Sequence, residues 1–147
     1  MNILKFPGVL SFSEDIIMKT TRRFCRNKLM DMCKRKAKVV DIYKEMGDIG
    51  ILGPLVKGYN CMETNYKMYG LMAKEIEYID SGYRSLYSVQ SSLVMNPIYK
   101  YGNDSIKEKY LERLASGEFI GCFGLTEPDS GSDAGNMSTT AELKGDC

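Results

Sequence analysis

Apolar residues recur at helical spacing through five stretches that end at Gly117, and beyond Gly117 the period breaks. This change of period constrains the fold more tightly than any single motif. The first stretch opens on Ser11-Phe12-Ser13-Glu14, a capping-box pattern, with Glu14 and Asp15 suited to the positive end of a helix. A helix is expected from about Glu14 to about Cys33, with Ile17, Thr21, Phe24 and Lys28 on one stripe and Cys25 and Leu29 beside it. A second spans Val39 to Ile49, with Val39, Ile42, Tyr43 and Met46 on one side. Gly47, Gly50, Gly53 and Pro54 end it. A third covers roughly Thr64 to Ile79, carried by Tyr69, Met72, Ile76 and Ile79. Ser81-Gly82 interrupts it, and a fourth runs from Tyr83 to Met95 until Asn96-Pro97 stops or bends it. The fifth starts near Asp104 or Ser105 and closes on Gly117 as a C-terminal cap.

After Gly117 the pattern is short, apolar and aromatic. Phe119 to Thr126 reads as a strand with two glycines for close approach, Pro128 to Gly135 as a loop, and Ser138 to Leu143 as a second strand. Helices followed by the start of a sheet give an α+β class. Residues 1–12 stay unassigned, 13–118 form a helical domain, and 119–147 are the incomplete start of a β domain. Two strands without a third are marginal in water and leave an open edge.

Composition removes several function classes. The chain of 147 residues has no histidine, which excludes Ser-His-Asp and Cys-His nucleophiles and His-containing metal sites within it. Its five cysteines, Cys25, Cys33, Cys61, Cys122 and Cys147, form no CxxC pair and read as free thiols in a reducing compartment, not as metal ligands. The net charge of +1 creates no global field for nucleic acid or membrane. The basic run Arg22, Arg23, Arg26, Lys34, Arg35, Lys36 and Lys38 reads as a solvated helix face; the other reading is a nucleic-acid or acidic-lipid surface. No aromatic residue interleaves the run for base stacking. No apolar run approaches the ~20 residues of a bilayer span. The opening MNILKFPGVL is a poor secretory signal and, without arginine, a poor mitochondrial presequence.

Two places can carry chemistry. In Leu125-Thr-Glu-Pro-Asp-Ser-Gly-Ser-Asp133, backbone amides and the hydroxyls of Thr126, Ser130 and Ser132 can surround a phosphate or a polar ring edge, although such loops are commonly plain turns. Arg84 follows a helix break, stands beside Ser85, and precedes an apolar stretch. Its guanidinium can present a fork to a carboxylate, with Glu77 two helical turns earlier as a brace. The alternative is a purely structural pair with Glu77 or Asp80.

LTEPDSGSD (125–133) resembles the flavin loop of acyl-CoA dehydrogenases. Three further stretches narrow the resemblance to the glutaryl-CoA dehydrogenase branch of that family: DIGILGPLVKGYNC (48–61), KEIEYIDSGYRSLYSVQSSLVMNPIYKYG (74–102) and KYLERLASGEFIGCFGLTEP (109–128). The resemblance covers about Ser13 to Met137. It implies an N-terminal all-α domain followed by the first strands of a middle β domain, in an FAD enzyme assembled as a homotetramer. It further implies oxidative decarboxylation of glutaryl-CoA to crotonyl-CoA and CO2, in the lysine and tryptophan catabolism of the mitochondrial matrix, with electron-transfer flavoprotein as acceptor. No nucleic acid, metal or membrane span belongs to this picture.

Carried over by residue, Phe123, Gly124, Leu125, Thr126, Gly131 and Ser132 match the first FAD-binding segment. Ser132 also matches a residue touching the thioester ligand, Arg84 and Ser85 match the pair holding the distal carboxylate of glutarate, and Glu77 matches their acidic neighbour. The family's catalytic glutamate and its Trp-containing second flavin segment have no match here, so no residue of this chain is assigned as the general base. Asn96 stands where relatives often carry histidine, and Asn60, Met62 and Glu63 are bulkier than is usual in that loop. Three expectations follow. The chain is an incomplete N-terminal part of such an enzyme, inactive alone; or a non-catalytic truncated protein that associates with full-length subunits; or part of an acyl-CoA dehydrogenase of other specificity.

Overall fold

The structure, a computed structural model, describes residues 10–145. Residues 1–9 of the unassigned leading segment, and Asp146 and Cys147, lie outside the described residues. The elements are α1 (Phe12–Phe24), α2 (Met30–Lys34), α3 (Val39–Asp48), α4 (Tyr66–Glu77), α5 (Ser81–Ser88), α6 (Asn96–Tyr101) and α7 (Asp104–Ala115). A π-helical stretch, Cys25–Leu29, joins α1 to α2, and a second, Val89–Met95, joins α5 to α6.

The starts follow from capping chemistry. The Ser11 hydroxyl accepts from the Glu14 amide while Glu14 accepts from the Ser11 amide at 2.9 Å, the reciprocal box expected of that sequence. Asn65, Asp80 and Asn103 cap α4, α5 and α7 by accepting from the amides of Met68, Tyr83 and Ile106. Gly117, at φ +74°, closes α7 in the left-handed conformation that other residues resist.

Helix α4 packs between α1 and α5, and α7 lies against α6 and the second π stretch. Among the described residues the core is rich in methionine: Met32, Met46, Met68, Met72 and Met95 are fully buried with Leu29, Ile42, Ile51, Leu52, Ile76 and Leu111. Unbranched thioethers fill the irregular gaps between helices that meet at varied angles. Helix α3 sits very close to the end of α7: a side chain at Gly47 would collide with the Ser116 carbonyl. Tyr43 crosses the core and donates its hydroxyl to the Leu86 carbonyl at 3.0 Å.

Three expectations are corrected. First, Asn96-Pro97 does not stop the fourth helix. The chain passes through π geometry over Val89–Met95 and resumes as α6, with Pro97 in the first turn, where its missing amide hydrogen is tolerated. Second, the α+β class gives way to an all-helical one among the described residues. Neither Phe119 to Thr126 nor Ser138 to Leu143 is a strand; the one isolated bridge pairs Glu127 with Ser130. A strand exists only through ladder partners, and none lies beside either segment. Third, the basic run is not wholly solvated. Glu75 on α4 is only 4% exposed and draws Arg22 to 2.9 Å and Arg26 to 3.6 Å, while the Arg26 guanidinium lies 3.3 Å over the Tyr78 ring. Two cations of α1 and its π extension therefore stabilise a buried carboxylate that would otherwise be costly to desolvate.

Candidate functional site

The break between α4 and α5 builds the first half of the site. Helix α4 ends at Glu77, and Asp80 restarts the chain as the cap of α5, so Ser81 and Arg84 in the opening turn of α5 face back toward Glu77. Arg84 Nε donates to Glu77 Oε2 at 2.9 Å, and the Ser81 hydroxyl donates to Glu77 Oε1 at 2.6 Å. Both carboxylate oxygens are engaged. The Ser81 hydroxyl and then the Arg84 guanidinium hold the Glu77 carboxyl below the usual carboxylate range.

Only the Nε edge of Arg84 is engaged in hydrogen bonding among the described residues, and the side chain is 39% exposed. The terminal nitrogens thus present donors to an incoming acceptor while Glu77 holds the group's orientation. Ser85 is exposed next to it, and its hydroxyl makes no protein hydrogen bond among the described residues. Asp80, the alternative partner considered from sequence, instead caps α5. A cavity of about 500 Å³ opens on the α1–α4 side of Glu77, lined by Arg22, Arg26, Lys74, Glu75, Glu77 and Tyr78 and not by Arg84.

The loop after α7 builds the second half. Phe119 to Gly121 is tied to the helical core, and from there Phe123, Gly124, Leu125 and Thr126 run exposed, followed by exposed Gly131 and Ser132. Among the described residues the amides of 122–126 donate to no protein acceptor, and open space surrounds Gly124 and Gly131. A stretch of unpaired amides, an exposed Thr126 hydroxyl and glycines that let a planar ring approach the backbone match the polar edge of an isoalloxazine ring. These residues therefore fit a flavin.

Glu127 folds the distal part of this loop. Its carboxylate accepts from the amides of Ser138 and Thr139, at 2.7 and 2.9 Å, and from both of their hydroxyls. With the Thr139 hydroxyl as the largest influence and the Ser138 amide next, its pKa is lowered to about 2. The Ser130 hydroxyl donates to the Asp133 carbonyl at 2.5 Å, closing the turn from inside.

The structure brings Glu77, Ser81 and Arg84 into one cluster. It does not join that cluster by hydrogen bond or ion pair to Thr126, Gly131 or Ser132 among the described residues. Sequence reading missed Ser81, whose spacing of four from Glu77 across a helix break was the available signal. It also missed Glu127, for which no local pattern pointed to partners eleven and twelve residues away.

Among the described residues the site is thus built from an α4–α5 break capped by Asp80, which positions Arg84, and a glycine-containing loop of unpaired amides after α7. The family model described as acyl-CoA dehydrogenase, N-terminal domain, matches residues 12–118, and the chain belongs to the acyl-CoA dehydrogenase family. It is 37% identical over 137 residues to an acyl-CoA dehydrogenase of Bacillus subtilis, covering 89% of this chain and 36% of that protein. It is 36% identical over 107 residues to the mitochondrial isovaleryl-CoA dehydrogenase of Bos taurus, covering 72% of this chain and 25% of that protein. Its fold is similar to the crystal structure of a glutaryl-CoA dehydrogenase from Mycobacterium smegmatis in complex with FADH2, with TM-score 0.83 and 43% identity, covering 92% of this chain and 36% of that one. The chain therefore spans about a third or less of the length of these relatives.

Proposed function

We propose that these residues form the substrate-recognising helical part and the first flavin-contacting loop of an FAD-dependent dehydrogenase that converts glutaryl-CoA to crotonyl-CoA and CO2. The observation that carries the reading is the Arg84 guanidinium, braced on one edge by Glu77 and open on the other. A dicarboxylic acyl chain supplies the second carboxylate such a fork selects; a monocarboxylic chain leaves the fork unpaired. Ser85 adds a hydroxyl donor beside it. Phe123 to Thr126 would donate backbone amides, and Thr126 its hydroxyl, to the flavin ring, with Gly131 and Ser132 completing the loop around it. When bound there, a flavin would supply the acceptor for the β-hydride of the thioester. Proton abstraction lies outside the roles assigned to these residues, so the 147-residue chain alone is expected neither to hold FAD tightly nor to oxidise glutaryl-CoA. Stoichiometric flavin and turnover from the isolated chain would overturn that division of labour. Electron-transfer flavoprotein as acceptor, a homotetrameric assembly, and a place in lysine and tryptophan catabolism in the mitochondrial matrix belong to the same proposal.

Titration calorimetry of the chain with glutaryl-CoA and butyryl-CoA tests the substrate. Glutaryl-CoA should bind more tightly, and Arg84→Gln should remove that preference, weakening glutaryl-CoA by roughly tenfold to a hundredfold while leaving butyryl-CoA near its original affinity. Equal affinities in the unaltered chain would favour an acyl-CoA dehydrogenase of other specificity. A second reading, non-catalytic association with full-length subunits, is favoured by one observation. An apolar groove of about 460 Å³ lies open along Val40, Val94, Ile98, Tyr110, Leu114 and Phe119.

A further inference from the structure

We propose that Gln90 is a positioning residue: its buried side-chain amide fixes the register in which residues 119–121 leave the helical core, and so aims the loop that follows. Gln90 lies in the π stretch Val89–Met95 and is completely buried. Its Nε2 donates to the Leu114 carbonyl at 2.9 Å and to the Phe119 carbonyl at 2.8 Å, and its Oε1 accepts from the Gly121 amide at 2.9 Å. Both donors and the acceptor of one carboxamide are thus spent on three backbone groups that flank the turn after α7. Leu114 is still in α7, whereas Phe119 and Gly121 belong to the departing segment, so one planar group bridges the helix and the exit.

The neighbouring residue contacts make the register exclusive. Gly121 packs on the Val94 side chain so closely that any Cβ there would collide with it. Val94 and Gln90 sit on the same π stretch, one gripping Gly121 by hydrogen bond and the other by contact. Four residues apart, the two side chains leave the stretch on one face, which is how one short stretch serves the same glycine twice. Five residues beyond Gly121 stands Thr126, across a run whose own amides are unpaired among the described residues. The placement of that run is therefore inherited from Gly121. The purpose given to the loop rests on the flavin reading above; the grip on it does not.

The test reads the segment without flavin, so a failure of the flavin reading and a failure of the grip stay separable. Amide hydrogen exchange is followed by NMR on the full chain at Phe119 and Gly121, with Met72 and Leu111 as core references. Gln90→Met keeps the volume and removes the amide. It should accelerate exchange at Gly121 by on the order of tenfold or more relative to the core references. Unchanged exchange at Gly121, or equal acceleration at all four amides, overturns the proposal, the latter because Gln90 would then serve the core as a whole. Gly121→Ala probes the same register without touching the core amide and should also release Phe119. Adding Val94→Ala should restore its protection, a rescue that a general loss of stability would not produce. A double variant as fast as Gly121→Ala alone also overturns the proposal.

Discussion

Arg84 and Glu127 show how much one charged side chain contributes when its partners are arranged by a turn. Arg84 is held from one side only, which leaves it able to recognise an acceptor rather than merely close a pair. Glu127 is the opposite case, saturated by Ser138 and Thr139 and therefore structural. Its pKa lies lower in the folded chain, about 2 against an ordinary 4.5, so its contribution is complete above the ordinary value and is lost as pH falls through the folded one. NMR chemical shifts of the Ser138 and Thr139 amides should hold steady from neutral pH down past 4.5 and move only around the folded value of about 2. Glu127→Gln should abolish that titration. A titration in the Gln variant matching the unaltered chain would remove Glu127 as the group responsible.

At the scale of elements, the α4–α5 break decides the site. Had the helix run on unbroken, Glu77 and Arg84 would lie two turns apart on one cylinder. The cap at Asp80 lets the chain restart so that Ser81 and Arg84 both reach Glu77. Asp80→Ala should cost about 1 kcal/mol of stability, measured by denaturant unfolding, because the Tyr83 amide loses its acceptor. The same variant should weaken glutaryl-CoA binding by more than that loss of stability explains, since Arg84 rides on the first turn of α5. A cap acts between a side-chain acceptor and a donor amide three positions on, and one of them, the Ser11 box, was legible beforehand for that reason. The two π stretches were not, since wide helical register leaves no signature in spacing and arises from what packs on it.

For the whole molecule, burial separates the thiols. Cys25 is fully buried, and burial is the main cause that pushes its thiol pKa up to about 12; Cys61, pushed up to about 11, follows the same logic, while Cys122 is exposed. Mass-spectrometric mapping after iodoacetamide at pH 8 should find Cys122 alkylated well before Cys25, which should react only on unfolding. Comparable early labelling at Cys25 would contradict the burial of the π stretch that follows α1. On a sizing column, the apolar groove along Val40 and Phe119 predicts co-elution of the chain with a full-length family subunit. A chain that stays monomeric in that mixture removes the motive for the association reading.

The helical domain, the Ser11 cap and the Arg84–Glu77 pairing could be read from residue order, because each rests on contacts between residues close along the chain. The fate of Phe119 to Thr126 could not. Its apolar, glycine-spaced pattern is that of a strand, yet pairing depends on neighbours, and with none beside it the segment takes its course from Gln90 instead. The three groups that Gln90 binds lie 24, 29 and 31 residues away, a distance over which no local propensity acts. Sequence alone marks helix starts such as the Ser11 cap and the close at Gly117, though not the passage through Asn96-Pro97; only packing decides which buried amide meets which distant backbone group, since that choice is made by the space and unpaired partners left once the helices have come together.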